Sequence, residues 1–117
     1  MDYQFTNDKP IYLQLMEVFK VAIVSGELPK GQRLESVRDL AVVAKVNPNT
    51  MQKALAELER IGLVRTERTS GRYITDDEEL ILNMKKELAE KEIQAFLEKM
   101  KSMGLTKDAV IKMIEEM

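Results

Sequence analysis

The segment from Val46 to Gly62, VNPNTMQKALAELERIG, restricts the fold of this chain more than any other. Asn47 is a preferred N-cap and Pro48 suits the first helical position, so a helix is predicted to begin there. Apolar side chains at helical spacing indicate one buried face, formed by Met51, Leu55 and Leu58. The helix has no acidic residue before Glu57, although the positive end of a helix dipole favours acids. An anionic partner at this end of the helix would account for their absence.

The opposite face of the same helix is small, amide-bearing and basic, with Asn49, Gln52, Lys53 and Ala56 spaced by three and four. Side-chain amides pair with adenine edges in the major groove of DNA, and a lysine neutralises phosphate. Thr50 can contact a phosphate or a thymine methyl group. The pattern therefore predicts a DNA-recognition helix. A solvated face behind a good N-cap explains these residues about as well when the helix is considered alone.

Two further helices are predicted before this segment. The first begins with Pro10 at its first position, ends at Gly26 and carries two adjacent apolar rows: Ile11, Leu15, Val18 and Ala22, and Tyr12, Met16, Phe19 and Ile23. The second is short, Ser36 to Val43, and starts with a capping box of Ser36 and Asp39. Two short helices joined by a tight turn predict a helix-turn-helix.

A β-hairpin is predicted after the recognition helix. Leu63–Thr66 and Arg72–Thr75 favour strands, and the polar loop between them ends in Ser70-Gly71. The hairpin is basic and carries Arg65, Arg68 and Arg72. After a helix-turn-helix, such a hairpin predicts a winged helix whose wing contacts the DNA backbone or the minor groove. Arginines on a hairpin also serve solubility alone, and this alternative stays open for each of them.

The remaining residues predict two helices, one from Asp77 to Met103 and a short one after the N-cap Thr106. They carry a broad apolar stripe: Leu82, Ala89, Ile93, Phe96, Leu97, Met100, Met103, Val110, Met113 and Ile114. Symmetric reading of DNA favours covering this stripe in a homodimer over folding it back onto the winged helix. Residues 1–75 are thus assigned to DNA binding and residues 76–117 to dimerisation. Five of the eight methionines lie in this tail, where plain packing is favoured over a pocket for a small hydrophobic effector.

Composition excludes most catalytic and metal chemistry. The chain has no Cys and no His, so zinc sites, thiol nucleophiles and Ser-His-Asp triads are ruled out, and neither an enzyme nor a cofactor is predicted. The consecutive acids Asp76–Glu79 do not converge on a metal and suit a helix start. The net charge is −2, but Lys45–Arg72 holds six bases against three acids, which places a nucleic-acid partner at the middle of the chain. No signal peptide or apolar span of membrane length is recognised, so a cytoplasmic protein without membrane contact is expected.

Three pieces in order, PIYLQLMEVFKVAIVSGELPKGQRLESVRDLA, VNPNTMQKALAELERIGLV and TSGRYIT, resemble the N-terminal domain of GntR-family bacterial transcription regulators over Pro10 to Thr75. The short tail resembles the YtrA-type branch of that family, which implies two dimerising helices in place of a large effector domain. The resemblance also implies that Arg38 contacts DNA and that Ser36 caps its helix near a phosphate. The other contacts that it implies are Asn47, Asn49, Thr50, Gln52, Ser70 and Gly71.

Three residues depart from the family pattern. Glu35 replaces a common Pro and places an acid near DNA, where it weakens phosphate binding or turns away. Lys45 replaces a common Gly in the turn, which predicts a left-handed backbone at a cost of about 1–2 kcal/mol. Pro48 replaces a common Arg, so a preference less dependent on G·C pairs is expected. For Arg38, an ion pair with Glu35 or Asp39 is the alternative to a DNA contact.

Together these features predict a mainly helical protein with a small β-hairpin, in which a winged helix-turn-helix precedes a two-helix dimerisation tail. The predicted function is a sequence-specific transcriptional regulator, a repressor that binds double-stranded DNA at a near-palindromic operator as a homodimer. The YtrA-type resemblance further implies control of a transporter operon, with room for a small-molecule effector at the dimer interface. The alternative is a winged-helix protein-interaction module without base-specific DNA binding.

Overall fold

The computed structural model describes all of residues 1–117 and contains five helices and one antiparallel hairpin. In chain order they are α1 (Ile11–Val24), α2 (Val37–Ala44), α3 (Pro48–Arg60), β1 (Val64–Glu67), β2 (Gly71–Ile74), α4 (Glu78–Ser102) and α5 (Lys107–Glu115). The contacts divide the chain into two compact units, Met1–Met84 (unit 1) and Lys85–Met117 (unit 2). The predicted mainly helical fold with a small hairpin is confirmed.

The core of unit 1 is built around the packing of α1 against α3. Leu15 and Phe19 from α1 and Met51 and Leu58 from α3 are completely buried. Burying each such side chain stabilises the fold by roughly 1.5–3 kcal/mol. The remaining core includes one residue of α2 and three of the hairpin region: Leu40, Leu63, Val64 and Ile74. The buried faces predicted for α1 and α3 are therefore confirmed, and they orient the opposite face of α3 outward.

Some predicted element boundaries were wrong by one residue. Pro10 precedes α1 instead of occupying its first position, since its ψ of 140° is extended. Its carbonyl accepts hydrogen bonds from the amides of Leu13 and Gln14 at 3.2 and 3.3 Å, which begins the helix one residue later. Both strands of the hairpin also lie closer to its tip than predicted, because the ladder extends to the pair Glu67–Gly71.

The turn between α2 and α3 closes through Lys45. Its φ of 60° and ψ of 45° are left-handed, as predicted, and no other non-glycine residue has a positive φ. The amide of Lys45 donates to the carbonyl of Val42 at 3.2 Å, and that of Val46 donates to Ala41 at 3.0 Å. This pair of bonds is the Schellman ending of a helix, in which Gly usually takes the left-handed position. A lysine there satisfies the last carbonyls of α2 but strains its own backbone.

The residues before α1 are attached along that helix. The side chain of Gln14 accepts from the Thr6 amide at 2.8 Å and donates to the Thr6 carbonyl at 2.9 Å. Tyr3 packs against the core, and burial first, then the carboxylates of Glu27 and Glu35, raise the pKa of its hydroxyl. The charge of Glu35 thus acts near the N-terminal segment.

In unit 2, α5 begins at the cap Thr106, whose hydroxyl accepts from the Ala109 amide at 3.1 Å. Val110 is 4% exposed and is the buried apolar side chain of this unit. Many of the other apolar side chains of α4 and α5 are exposed, including Leu82, Ile93, Phe96, Met103, Ile111, Met113 and Ile114. None of the helices has the length and apolar character needed to cross a bilayer.

Replacing Lys45 by Gly is expected to raise the free energy of unfolding by about 0.5–1 kcal/mol. Glycine removes roughly 1–2 kcal/mol of strain from the left-handed backbone of the folded state. It also increases the conformational entropy of the unfolded chain, which costs ~0.5–1 kcal/mol of stability, so the net effect is stabilising. Urea titration followed by circular dichroism measures the difference. Lys45→Ala is the control, since it removes the same side chain but keeps the strained Cβ. An equal gain in both variants would show that the lysine charge, not the backbone, is unfavourable.

Candidate nucleic-acid interface

The N-terminus of α3 combines a satisfied cap with an uncompensated positive dipole. Asn47 Oδ1 accepts from the Asn49 amide at 2.7 Å, and the Asn47 carbonyl accepts from the Met51 amide at 3.1 Å. Pro48 has no amide hydrogen, and the backbone amides of Asn47 and Thr50 have no partner at this helix end. No acid stands in the first turn. Such a helix end is suited to a phosphate group.

The outward face of α3 is polar, as predicted. Asn49, Gln52 and Ala56 are exposed. Lys53 is exposed too, but its ammonium lies 4.0 Å from the centre of the Tyr12 ring on α1. An exposed cation–π contact of this kind contributes roughly 0.5–1 kcal/mol. The lysine charge is therefore held beside α1, while the two amides are free to meet a ligand.

The N-terminus of α2 carries a second group of candidate residues. Ser36 Oγ accepts from the Asp39 amide at 3.1 Å, which confirms the predicted cap and leaves the hydroxyl hydrogen available. Arg38 is exposed and forms no ion pair, so the alternative of pairing with Glu35 or Asp39 is not observed. Its guanidinium can make bidentate contacts to phosphate or to a guanine edge.

The predicted arginines of the wing have different environments. Arg65 pairs with Glu67 and, at 3.3 Å, with Asp76, and its guanidinium stacks 4.9 Å from the Tyr73 ring. Its charge is thus balanced within the protein. Arg68 lies exposed in the turn between the strands. It remains available to a polyanion.

Three further predicted residues lie at the end of the wing turn and the start of β2. Ser70 Oγ accepts from the Tyr73 hydroxyl at 2.9 Å, which orders the end of the turn. Gly71 has a φ of 112°, a conformation that L side chains rarely adopt. Arg72 is half-buried, and its Nε is buried without a hydrogen-bond partner. The hydrogen bond between Tyr73 and Ser70 therefore orders the end of the turn, while Arg72 is only partly accessible.

A residue that the sequence did not single out also belongs to the wing. Arg33 forms an antiparallel bridge with Tyr73, flanked by bonds from Leu34 N to Arg72 O and from Ile74 N to Gln32 O, both 2.8 Å. Its exposed side chain lies against Gly71. Little in the sequence signals this bridge, because the polar pair Gln32-Arg33 before buried Leu34 does not alternate and is too short to predict a strand.

The residues predicted to form the dimer interface lie on α4 and α5, within one chain. Leu82, Ile93, Phe96, Met103, Met113 and Ile114 are exposed large apolar side chains, while Val110 is already buried within unit 2. Leu97 lines an open groove of about 440 Å³ between the end of α4 and the start of α5. Ala89 is exposed and Met100 half-buried. These helices thus offer a surface for association.

Residues 11–74 match the family described as bacterial regulatory proteins, gntR family. The chain is 40% identical over 115 residues to the HTH-type transcriptional regulator YhcF of Bacillus subtilis, which covers 98% of this chain and 95% of YhcF. It is 43% identical over 68 residues to the HTH-type transcriptional repressor YtrA of the same species, over 58% of this chain and 52% of YtrA. A GntR family transcriptional regulator from Listeria monocytogenes has the same fold, with a TM-score of 0.87, 34% identity and coverage of 97% of this chain and 99% of that chain.

Proposed function

Because the chain belongs to the GntR family of bacterial transcriptional regulators, we propose that it is a repressor that binds a near-palindromic operator as a homodimer. The observation that carries this proposal is the outward face of α3, where two free amides stand beside an acid-free helix start. Such amides distinguish adenine from the other bases in the major groove. The relative YtrA is named a transcriptional repressor, which supports the direction of control.

In this proposal α3 enters the major groove while α2 and the wing contact the flanking backbone. The side chains of Asn49 and Gln52 read base edges, and Thr50 binds a phosphate through its backbone amide and its hydroxyl group. Asn47 uses its oxygen in the cap and keeps its amide hydrogens for DNA. The remaining proposed contacts are Ser36, Arg38, Lys53, Ser70, Gly71 and Arg72. Residues 1–75 form the DNA-binding part.

Association through α4 and α5 completes the proposed regulator. Exposed Ile93, Phe96 and Met113 form part of an apolar surface that a second copy of the chain would bury. A two-fold dimer presents two recognition helices about 34–36 Å apart, one turn of DNA, and so selects an inverted repeat. Bound there, it blocks a promoter until an effector at the dimer interface changes the spacing. Control of a transporter operon follows the YtrA-type resemblance.

The first prediction concerns Gln52. In a selection from randomised DNA at fixed, near-physiological salt, the wild type should enrich an inverted repeat, and Gln52→Ala should relax one symmetric pair of positions. A lost bidentate amide–adenine contact corresponds to about 1–3 kcal/mol of discrimination at that pair. The salt concentration is fixed because the phosphate contribution falls steeply with it.

Gln94→Ala is the matched control for this selection, since it makes the same change at an exposed position of α4. It should enrich the same repeat as the wild type. Enrichment of no sequence, with binding that simply fades as salt rises, would instead favour a winged-helix module that binds a protein partner.

The second prediction concerns an acidic residue introduced at the N-terminus of α3, where the chain has none. Asn47→Asp keeps a good N-cap and adds a charge that the helix dipole favours by about 0.3–1 kcal/mol, so thermal stability should not fall. The same charge repels phosphate, and operator affinity should fall on the order of tenfold or more. Asn47→Ser, a neutral cap that also lacks the amide hydrogens, should lose less affinity than Asn47→Asp, and the difference between the two variants measures the effect of the charge. If Asn47→Asp binds the operator as tightly as the wild type does, no phosphate lies at the N-terminus of α3.

The third prediction tests the dimer. Ile93→Glu places a charge on the proposed apolar interface, so light scattering should find a monomer at concentrations where the wild type is a dimer. The variant should lose at least about tenfold in affinity for the full inverted repeat but bind a single half-site like the wild type. Ala95→Glu adds the same charge two residues away, nearly opposite on the helix, and should leave the dimer intact. A monomeric wild type bound to its operator would contradict the proposal.

A further inference from the structure

Arg33 is fixed to the wing by its backbone. The two flanking bonds place Arg33 and Tyr73 in a widely spaced antiparallel pair, in which opposite side chains approach closely and point to the same side. Tyr73 pairs with Arg65 on the other strand of the hairpin, so that ring lies between two arginines. Arg33 thus belongs to the same face of the wing as Arg65, although it precedes the hairpin by some thirty residues of chain.

The Arg33 side chain packs against the backbone of Gly71. A Cβ at Gly71 would lie 3.4 Å from Arg33 Nε and 3.5 Å from Nη2. The guanidinium therefore rests on the bare backbone of the strand, next to the turn that ends at Ser70. This contact orders a long side chain, which lowers the entropy that it would lose on binding a ligand.

The two arginines of this face differ in charge balance. Arg65 is neutralised by Glu67 and Asp76, whereas Arg33 has no ion-pair partner. Arg33 is exposed, so its charge is available to an external anion. It also stands three residues before the cap Ser36, and hence between the wing tip and the start of α2. Both of these neighbours are proposed DNA contacts.

From this placement we infer that Arg33 inserts into the minor groove beside the wing and gives the operator a preference for A·T pairs at the flank of each half-site. The inference rests on the DNA binding proposed above and adds a specificity-determining residue to it. A·T-rich minor grooves are narrow and carry an enhanced negative potential that attracts arginine. A G·C pair adds the N2 amino group of guanine to the groove floor and opposes such a contact.

The test measures binding of the selected operator with one flanking pair varied as A·T, G·C or I·C. Inosine lacks the N2 amino group, so I·C resembles A·T in the minor groove but G·C in the major groove. The wild type should bind the A·T and I·C duplexes with similar affinity and the G·C duplex several-fold more weakly. Arg33→Ala should bind all three within about twofold of one another.

Arg60→Ala is the matched control. It removes one positive charge from the C-terminal end of α3 and should preserve the wild-type ratio between duplexes. Arg33→Lys keeps the charge without the planar fork and should show a reduced ratio. Thermal unfolding of each variant confirms that the wing remains folded.

Two results would overturn the assignment. If Arg33→Ala weakens binding to the three duplexes equally, Arg33 is a phosphate contact. If it keeps both the wild-type affinities and the wild-type ratio, Arg33 makes no contact with the DNA. In either case the operator itself is still bound specifically, and the proposed repressor function stands. Absence of any sequence-specific binding by the wild type would overturn the function and this inference together.

Discussion

The packing of α3 against α1 is the interaction on which the rest of the structure depends. Met51 and Leu58 of α3 are completely buried against Phe19 and Leu15 of α1, and a helix with one face so fixed has no freedom to rotate. The orientation of Asn49 and Gln52 toward solvent follows from this burial, because side chains on one helix occupy fixed angular positions. The core therefore determines which side chains are offered to DNA. Lys53 adds a second link to α1 through the ring of Tyr12.

The turn between α2 and α3 and the wing each contain a residue with a positive φ, a lysine in the turn and a glycine in the wing. Between α2 and α3 the chain must reverse within a few residues, and Lys45 adopts the left-handed conformation at some cost in stability. At the wing, Gly71 adopts a positive φ without a side chain, and the Arg33 side chain packs against its backbone. A glycine is needed at the wing because a φ of 112° lies outside the left-handed helical region that other residues can enter. In the turn, the φ of 60° and ψ of 45° lie within that region, so a lysine is tolerated.

Much of the fold was predictable because its signals are local. The cap Asn47 and the buried row of Met51, Leu55 and Leu58 follow from neighbouring residues, and both are found in the structure. The left-handed Lys45, also found, was predicted from the resemblance to a family that commonly has Gly in this turn. The ends of the strands were less predictable, since a ladder ends where cross-strand pairs stop. The partners of the wing arginines could not be predicted, because Asp76 and Tyr73 reach Arg65 only after the hairpin folds. Arg33 was missed for the same reason: its contact with Gly71 joins residues that are distant in sequence.

The distribution of charge bears on how an acidic protein can select DNA. The whole chain has a net charge of −2, while Lys45–Arg72 carries six bases and three acids. Nonspecific affinity for DNA arises from the phosphate contacts that a surface can make, and a chain with 18 bases and 20 acids offers fewer of them than a strongly basic one. One base of the wing, Arg65, is further occupied by the carboxylates of Glu67 and Asp76. With attraction to phosphate limited in this way, a larger share of the binding free energy must come from base and groove contacts, and these distinguish one sequence from another.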